Sequence, residues 1–209
     1  MSAKFELRTG DNMAKRTATI QRQTKETKVV LKLDLDGRGA SDAQTGVGFL
    51  DHMLAHLAKH SLSDLTVRAS GDVQVDDHHT VEDVAICLGE ALVKALGDKA
   101  GIGRYGSASV PMEEALAKVA LDLSGRAAIV FNVCFSGDKI GTFDVQLVEE
   151  FLRRLTSVAG MNLHVNVPYG SNDHHIAEAI FKAFAQALRQ AKAIDPARKG
   201  DVPSTKGSL

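Results

Sequence analysis

Tryptophan is absent from this 209-residue chain and aromatic residues make up only 5% of it, so there is little from which to build a stacking platform for nucleobases. Cysteine is scarce too: Cys87 and Cys134 form no CxxC pair, which suits a reducing cytoplasm. Cys87 falls in an apolar helical pattern and reads as a small buried hydrophobe. Neither sign of charge dominates, because 25 Lys and Arg face 26 Asp and Glu, and the electrostatic footprint of a nucleic-acid binder is missing. No apolar run reaches the length of a bilayer span, and the N-terminus carries no signal-peptide core. The expectation is a cytoplasmic protein with neither nucleic acid nor membrane as partner. With 44% hydrophobic residues, a chain of this length can bury a core without staples.

What is present is a motif that occurs twice, 96 positions apart: Asp77-His78-His79-Thr80-Val81-Glu82-Asp83 and Asp173-His174-His175-Ile176-Ala177-Glu178-Ala179. Each copy reads Asp-His-His-x-x-Glu and opens an apolar stretch of helical period. On a helix the first His and the Glu are at i,i+4 and the second His and the Glu at i,i+3, spacings that share one face. Two imidazoles and a carboxylate converging there form a metal half-site, and duplication of the half-site suggests a two-metal centre.

The repeat extends beyond the motif. Glu26 and the run Leu33-Asp34-Leu35-Asp36-Gly37-Arg38 match Glu114 and Leu121-Asp122-Leu123-Ser124-Gly125-Arg126 at an offset of 88. Val29, Leu31, Leu33 and Leu35 alternate with mostly polar residues, as do Ala117, Val119, Leu121 and Leu123, which predicts a half-buried strand in each half. At an offset of 98, Leu50, Met53, Leu54 and Leu57 fall on Val148, Phe151, Leu152 and Leu155, an amphipathic helix in each half. Strands over 65–69 and 163–167 follow, with further strand-like residues over 129–135. The order is strand, helix, strand, helix, twice, and the drift in offset implies short loop insertions. The fold class is α+β: two similar halves, 15–100 and 105–195, packed into one compact body, followed by a tail over 196–209. Gly101-x-Gly103 near the joint has neither a GKS/T nor a full GxGxxG and is a weak signal for a nucleotide loop.

His52, His56 and His60 recur every four residues on the first helix, on the side away from its apolar stripe. They are expected to point away from the local core, and a metal site on such a face is completed most simply by a neighbouring subunit. The repeat maps His52 onto Glu150, another competent ligand. His164 lies in an alternating strand and reads as structural. Arg38 and Arg126 each follow a Gly at a strand end, where a surface turn is the plain reading. The tail, with Ser204, Thr205 and Lys206, reads as a disordered terminus on composition, and its alternative is closure over a phosphate.

At these residues the chain resembles the imidazoleglycerol-phosphate dehydratase family. The resemblance rests on Thr45-Gly46-Val47-Gly48-Phe49-Leu50-Asp51-His52-Met53-Leu54, on both His-His motifs, on Asp122-Leu123-Ser124-Gly125-Arg126 and on Pro203-Ser204-Thr205-Lys206-Gly207. It implies a four-stranded sheet with two helices in each half, and a homo-oligomer of 24 subunits built from trimers. It implies two manganese(II) ions per active site at subunit interfaces, and loss of water from imidazoleglycerol phosphate to give imidazoleacetol phosphate. Carried over residue by residue, one ion would take His52, His79, Glu82 and His174, and the other His78, His175, Glu178 and position 150. Glu150 stands where the family pattern leads one to expect His, and a carboxylate is an equally good manganese ligand. Glu26, Glu82 and Glu178 are the catalytic carboxylates by this resemblance, with Glu26 as the acid/base that shuttles the proton. His52, His56 and His60 would line the substrate, and Arg104, Arg126, Lys182, Ser204, Thr205 and Lys206 would grip its phosphate, a task that suits guanidinium forks. A non-catalytic metal-storage shell would use the same ligands without needing those basic residues, and an RNA-binding module of similar element order conflicts with the near-neutral charge.

Overall fold

The structure, a computed structural model, describes residues 15–207 and 209; the first residues, read above for a signal peptide, and residue 208 of the tail lie outside them. In the first half, β1 (Thr17–Gln23), β2 (Thr27–Asp34) and β3 (Ser41–Gln44) precede α1 (Gly48–Ser61), β4 (Asp64–Gly71) and α2 (His78–Leu96). In the second, β5 (Tyr105–Met112), β6 (Ala115–Asp122) and β7 (Ala128–Asn132) are followed by a small hairpin of β8 (Lys139–Ile140) and β9 (Phe143–Asp144). Then come α3 (Gln146–Ala159), β10 (Asn162–Tyr169) and α4 (Asp173–Lys192).

The duplication is visible in the hydrogen-bond register. The two four-stranded sheets run β1-β2-β4-β3 and β5-β6-β10-β7. Thr17 pairs with Asp34 across β1 and β2, and Tyr105 pairs with Asp122 across β5 and β6, each partner 88 residues from its counterpart. Asp34 pairs with Asp64, and Asp122 with Asn162. In both sheets the short strand, β3 or β7, joins in parallel. The drift in offset from 88 to 98 also has a location. Residues 45–47 join β3 to α1, whereas residues 133–145 join β7 to α3, thirteen residues against three, and the β8–β9 hairpin is the insertion.

Alternation along β2 and β6 puts Val29, Leu31, Leu33 and Ala117, Val119, Leu121 on buried faces, as the period-2 pattern predicts. The helices cover those faces. Helix α1 packs on β3 and β4, α2 on β1 and β2, α3 on β7, and α4 on β5 and β6, while α1 also packs against α4 and α2 against α3. Each helix therefore meets its own half's sheet on one side and a helix of the other half on the opposite side. Helices α2 and α4 are buried nearly all round, and their alanines permit the close approach. Phe151 and Phe181, one from α3 and one from α4, are both buried, with ring centroids 5.4 Å apart.

Two buried lysines lock the halves together. Lys192, at the end of α4, donates to the carbonyls of Leu35 and Leu62 in the first half. Lys99, beyond α2, donates to the carbonyl of Leu123 in the second at 2.9 Å. Leu35 and Leu123 are repeat counterparts. Burial pushes the Lys192 ammonium down to about 8 and moves Lys99 in the same direction.

The periodicity of the sequence does not reveal β1, β3 and β5. Only Ala18 of β1 and Gly106 of β5 are buried, and nothing in β3 is, because edge and short strands have little apolar face to show. The expectation that His56 stands on an open surface is corrected, since the side of α1 away from its sheet is covered by α4 and His56 is only partly exposed there. Nor is the tail without structure. Asp201 accepts from the Gly101 N–H, and turns closed by Ser204 N–H to Val202 and Gly207 N–H to Ser204 follow.

Candidate metal centre

Helix α4 delivers the second motif with its backbone already fixed. The Asn172 side chain caps the helix by accepting the N–H groups of His174 and His175, and Asp173 accepts the N–H groups of Ser136 and Gly137 in the inserted segment. One turn on, Glu178 is 6% exposed and gathers the imidazoles of both halves. Its oxygens lie 3.2 Å from His174 Nε2, 3.3 Å from His56 Nε2 and 3.5 Å from His52 Nε2. Lys182 Nζ is 2.5 Å away on the same carboxylate. Donor atoms of His52, His56 and Glu178 all fall within 4.8 Å of one another, the spacing of a metal shell. Phe49 and Phe143 wall the cluster, with Phe49 edge-on to His174 at 5.3 Å.

Charge here is concentrated and partly desolvated. Burial alone would raise the Glu178 carboxyl, but the Lys182 ammonium, His56 and His174 outweigh it and hold it at about 2. Burial, with help from neighbouring cations, pushes His56 down to about 4 and lowers His60. His60 stacks on His56 at a ring separation of 5.8 Å. The chain itself thus joins first-half His52 to second-half His174 and Glu178, so part of the cluster expected to need a neighbouring subunit forms within one chain.

A second cluster stands at the duplicated position. Glu82 of α2 and Glu150 of α3 both reach Arg154 Nε, at 3.0 and 2.6 Å, and His78 shares with Glu150 a cavity of about 190 Å³. The repeat carries His52 onto Glu150, His56 onto Arg154, His174 onto His78 and Glu178 onto Glu82. Arg154 was not foreseen; its position opposite His56 in the repeat was the available signal.

The second His of each motif turns away from its Glu, contrary to the expected convergence of both imidazoles on one face. His79 Nδ1 lies 3.1 Å from Asp72 and its Nε2 lies 3.9 Å from Glu26. His175 Nδ1 lies 2.7 Å from Glu114. The hydrogen bond from His175, with those from the Asn172 and Ser171 N–H groups, holds Glu114 at about 2. The cause is local: Asp72, just beyond β4, holds His79, and Glu114, ahead of β6, holds His175. Glu26 and Asp72 line a cavity of about 350 Å³. Glu114 was visible as the partner of Glu26 in the repeat, whereas Asp72 had no signal.

The basic residues divide into two places. Arg104 donates to Asp122 and to the carbonyl of Pro203 just ahead of Ser204, Thr205 and Lys206. Arg126 follows Gly125, against which Leu209 packs, so Arg104, Arg126 and the tail collect at one end of the second sheet. Lys182 is elsewhere. The Arg104 N–H bonds to Ala191 of α4, nine residues beyond Lys182 and so roughly 13 Å along the helix axis.

A model of the imidazoleglycerol-phosphate dehydratase family matches residues 45–188. The imidazoleglycerol-phosphate dehydratase of Paracoccus denitrificans is 57% identical over 194 residues, which is 93% of this chain and 100% of the relative. The crystal structure of the imidazoleglycerol-phosphate dehydratase of Staphylococcus aureus has a TM-score of 0.79 at 40% identity, over 86% of this chain and 99% of its own. That of the Pyrococcus furiosus protein, in complex with (S)-C348, has a TM-score of 0.78 at 34% identity, over 91% and 100%.

Proposed function

The chain belongs to the imidazoleglycerol-phosphate dehydratase family, and from that premise we propose that two manganese(II) ions, held by the duplicated His-His-x-x-Glu motifs, serve its reaction. It is a hydro-lyase of histidine biosynthesis that removes water from imidazoleglycerol phosphate to leave imidazoleacetol phosphate. The observation that carries the metal reading is the convergence of His52, His174 and Glu178, drawn from both halves, around a carboxylate that is 6% exposed.

The donors fit such ions. Imidazole and carboxylate without thiolate are the set that suits manganese over a structural zinc. In each cluster a cationic side chain, Lys182 or Arg154, sits against the carboxylates where positive charge is called for. His52, His174 and Glu178 would hold one ion and Glu150, His78 and Glu82 would serve the other, which exchanges Glu82 and Glu178 between the two sets that the resemblance implies, with His79 and His175 completing shells across chain boundaries. When bound, the ions supply Lewis acidity and a template for the imidazole ring. Dehydration removes a proton from one carbon and a hydroxyl from its neighbour, and the resulting enol becomes the ketone. Glu26, 3.9 Å from His79 on the rim of its cavity, takes and returns that proton. Arg126, Ser204, Thr205 and Lys206, with Arg104, grip the phosphate, and His56 and His60 line the substrate beside His52.

A single chain keeps these parts apart. Glu178 is thirteen residues before Ala191, so the metal cluster and the tail are roughly 20 Å apart along α4. A complete site therefore draws on neighbouring copies, which supports a homo-oligomer, 24 subunits built from trimers. Among the described residues no helix is long and apolar enough to cross a membrane, and the proposed location is the cytoplasm. Stripping metal and titrating manganese back while following turnover tests the reading. Activity should return at two equivalents per subunit. Full turnover of the metal-free protein contradicts it, and tight manganese binding without turnover points instead to a storage shell.

A further inference from the structure

We propose that Asp122 is a positioning residue for the substrate phosphate, acting through Arg104 to hold the 203–206 segment in place. The proposal rests on the reading of that segment as part of the phosphate grip.

Arg104 is fixed from every side. Its Nε and Nη2 donate to the two Asp122 oxygens at 2.7 and 3.0 Å, a fork that suits the two oxygens of a carboxylate. Its Nη1 donates to the Pro203 carbonyl at 2.7 Å, and its guanidinium lies over the Tyr105 ring, 4.7 Å from the centroid. The backbone of Arg104 has φ +70°, a left-handed conformation that costs a residue with a Cβ roughly 1 kcal/mol and persists only where its surroundings impose it. Here the N–H to Ala191 and the carbonyl accepting from Leu123 impose it. Three of the five guanidinium N–H groups are used, and two have no protein acceptor among the described residues. One side chain thus ties β6 to the tail and still has donors for an oxyanion. Asp122 sets its direction: without that fork, only the Tyr105 ring and the single Pro203 bond hold the guanidinium, and the anchor of Pro203 is loosened.

The first half carries a similar bracket, with its carboxylate two residues beyond Asp34, the register counterpart of Asp122, and among the described residues it leads to no tail. Arg16, the repeat counterpart of Arg104, makes a bidentate pair with Asp36 and donates to the carbonyl of Lys192 at 2.5 Å. This bracket closes the body, whereas the Asp122 bracket leads to Ser204, Thr205 and Lys206.

The test compares Asp122→Ala, Asp122→Asn, Asp36→Ala and Lys206→Ala in the assembled, manganese-loaded protein. It measures KM and kcat for imidazoleglycerol phosphate, competitive inhibition by inorganic phosphate, and hydrogen exchange over residues 201–207. Loss of a charge-assisted fork predicts that Asp122→Ala raises KM and weakens phosphate inhibition by about tenfold or more, with a smaller change in kcat. The 201–207 amides should lose protection. Asp122→Asn, which keeps the shape and one acceptor, should fall between it and the parent, and Asp36→Ala should leave KM unchanged. If Lys206→Ala raises KM while both Asp122 variants bind phosphate as the parent does, the bracket is wrong. If Lys206→Ala itself has no effect on KM or phosphate inhibition, the phosphate reading of the tail fails instead. Equal rises in KM for Asp122→Ala and Asp36→Ala would reduce Asp122 to a general structural role.

Discussion

The two His-His-x-x-Glu motifs each open a helix at matched positions of the repeat and end with different neighbours. Around Glu178 the helix that crosses from the other half brings His52 and His56, so one buried carboxylate faces three imidazoles and Lys182. Around Glu82 the equivalent helix brings Glu150 and Arg154, so two carboxylates face one guanidinium, with His78 nearby. Duplication preserved the positions of the donors, and divergence exchanged their chemistry. Two donor positions of the second cluster, 82 and 150, are carboxylates, and a resident Arg balances them. The same cross-half packing explains both clusters: α1 against α4 and α2 against α3 put a ligand of each half beside the motif of the other.

The largest effect is expected where the carboxylate is most enclosed. Glu178→Gln keeps the shape but removes the charge that three imidazoles and Lys182 share, and turnover should fall by more than about a hundredfold, as metal-shell losses do. Steady-state kinetics with saturating manganese checks this, and near-parent turnover would mean that the Glu178 cluster is only an internal ion pair. Assembly comes next. Since one chain keeps His79 and His175 away from the remaining ligands, chelation should shrink the large particle towards trimers and manganese should restore it, as followed by light scattering. A particle of unchanged size after all metal is removed would break the coupling of metal to assembly.

The smallest effect concerns the buried lysines that join the halves. Lys192 has a folded value near 8 against an ordinary 10.5, so the folded state disfavours its charge. Below pH 8 both states hold the proton and the full penalty applies. Between pH 8 and 10.5 the unfolded chain holds a proton that the folded chain lacks, and stability rises with pH by at most about 3 kcal/mol. Cys87, whose thiol burial pushes up to about 12, works in the opposite direction above its ordinary value near 9. Urea midpoints of the parent and Lys192→Met across pH 7–10 separate the two, because only the parent should carry the rising component. Parallel curves would show that Lys192 is as well solvated as a surface lysine.

Much of this was legible in the sequence because two signals repeat. Period-2 runs marked β2, β4, β6 and β10, and the 3.6-residue pattern marked all four helices, since each has a core-facing stripe. Strands β1, β3 and β5 escaped because edge strands bury one residue or none. The helices that bring these imidazoles and carboxylates together were readable from Asp-His-His-x-x-Glu. Which imidazole joins which carboxylate was not, because i,i+3 and i,i+4 spacings both allow a shared face, and the choice is made by Glu26, Asp72 and Glu114 on other elements. The burial of His56 was hidden for a similar reason: a helix's apolar stripe identifies the sheet it packs on, but not a second helix that arrives from the other half.

The central claim is that each His-His-x-x-Glu motif, joined by a residue of the other half, anchors one metal site, and position 150 tests it most directly, because there the two clusters differ in kind. Manganese per subunit should be counted by elemental analysis on the parent and on Glu150→Ala, together with turnover. Two ions should be found in the parent and about one in the variant, with activity falling steeply, while Glu150→His should retain two ions and much of the turnover. Two ions and parental turnover in Glu150→Ala would contradict the account and leave Glu150 as a partner of Arg154 alone.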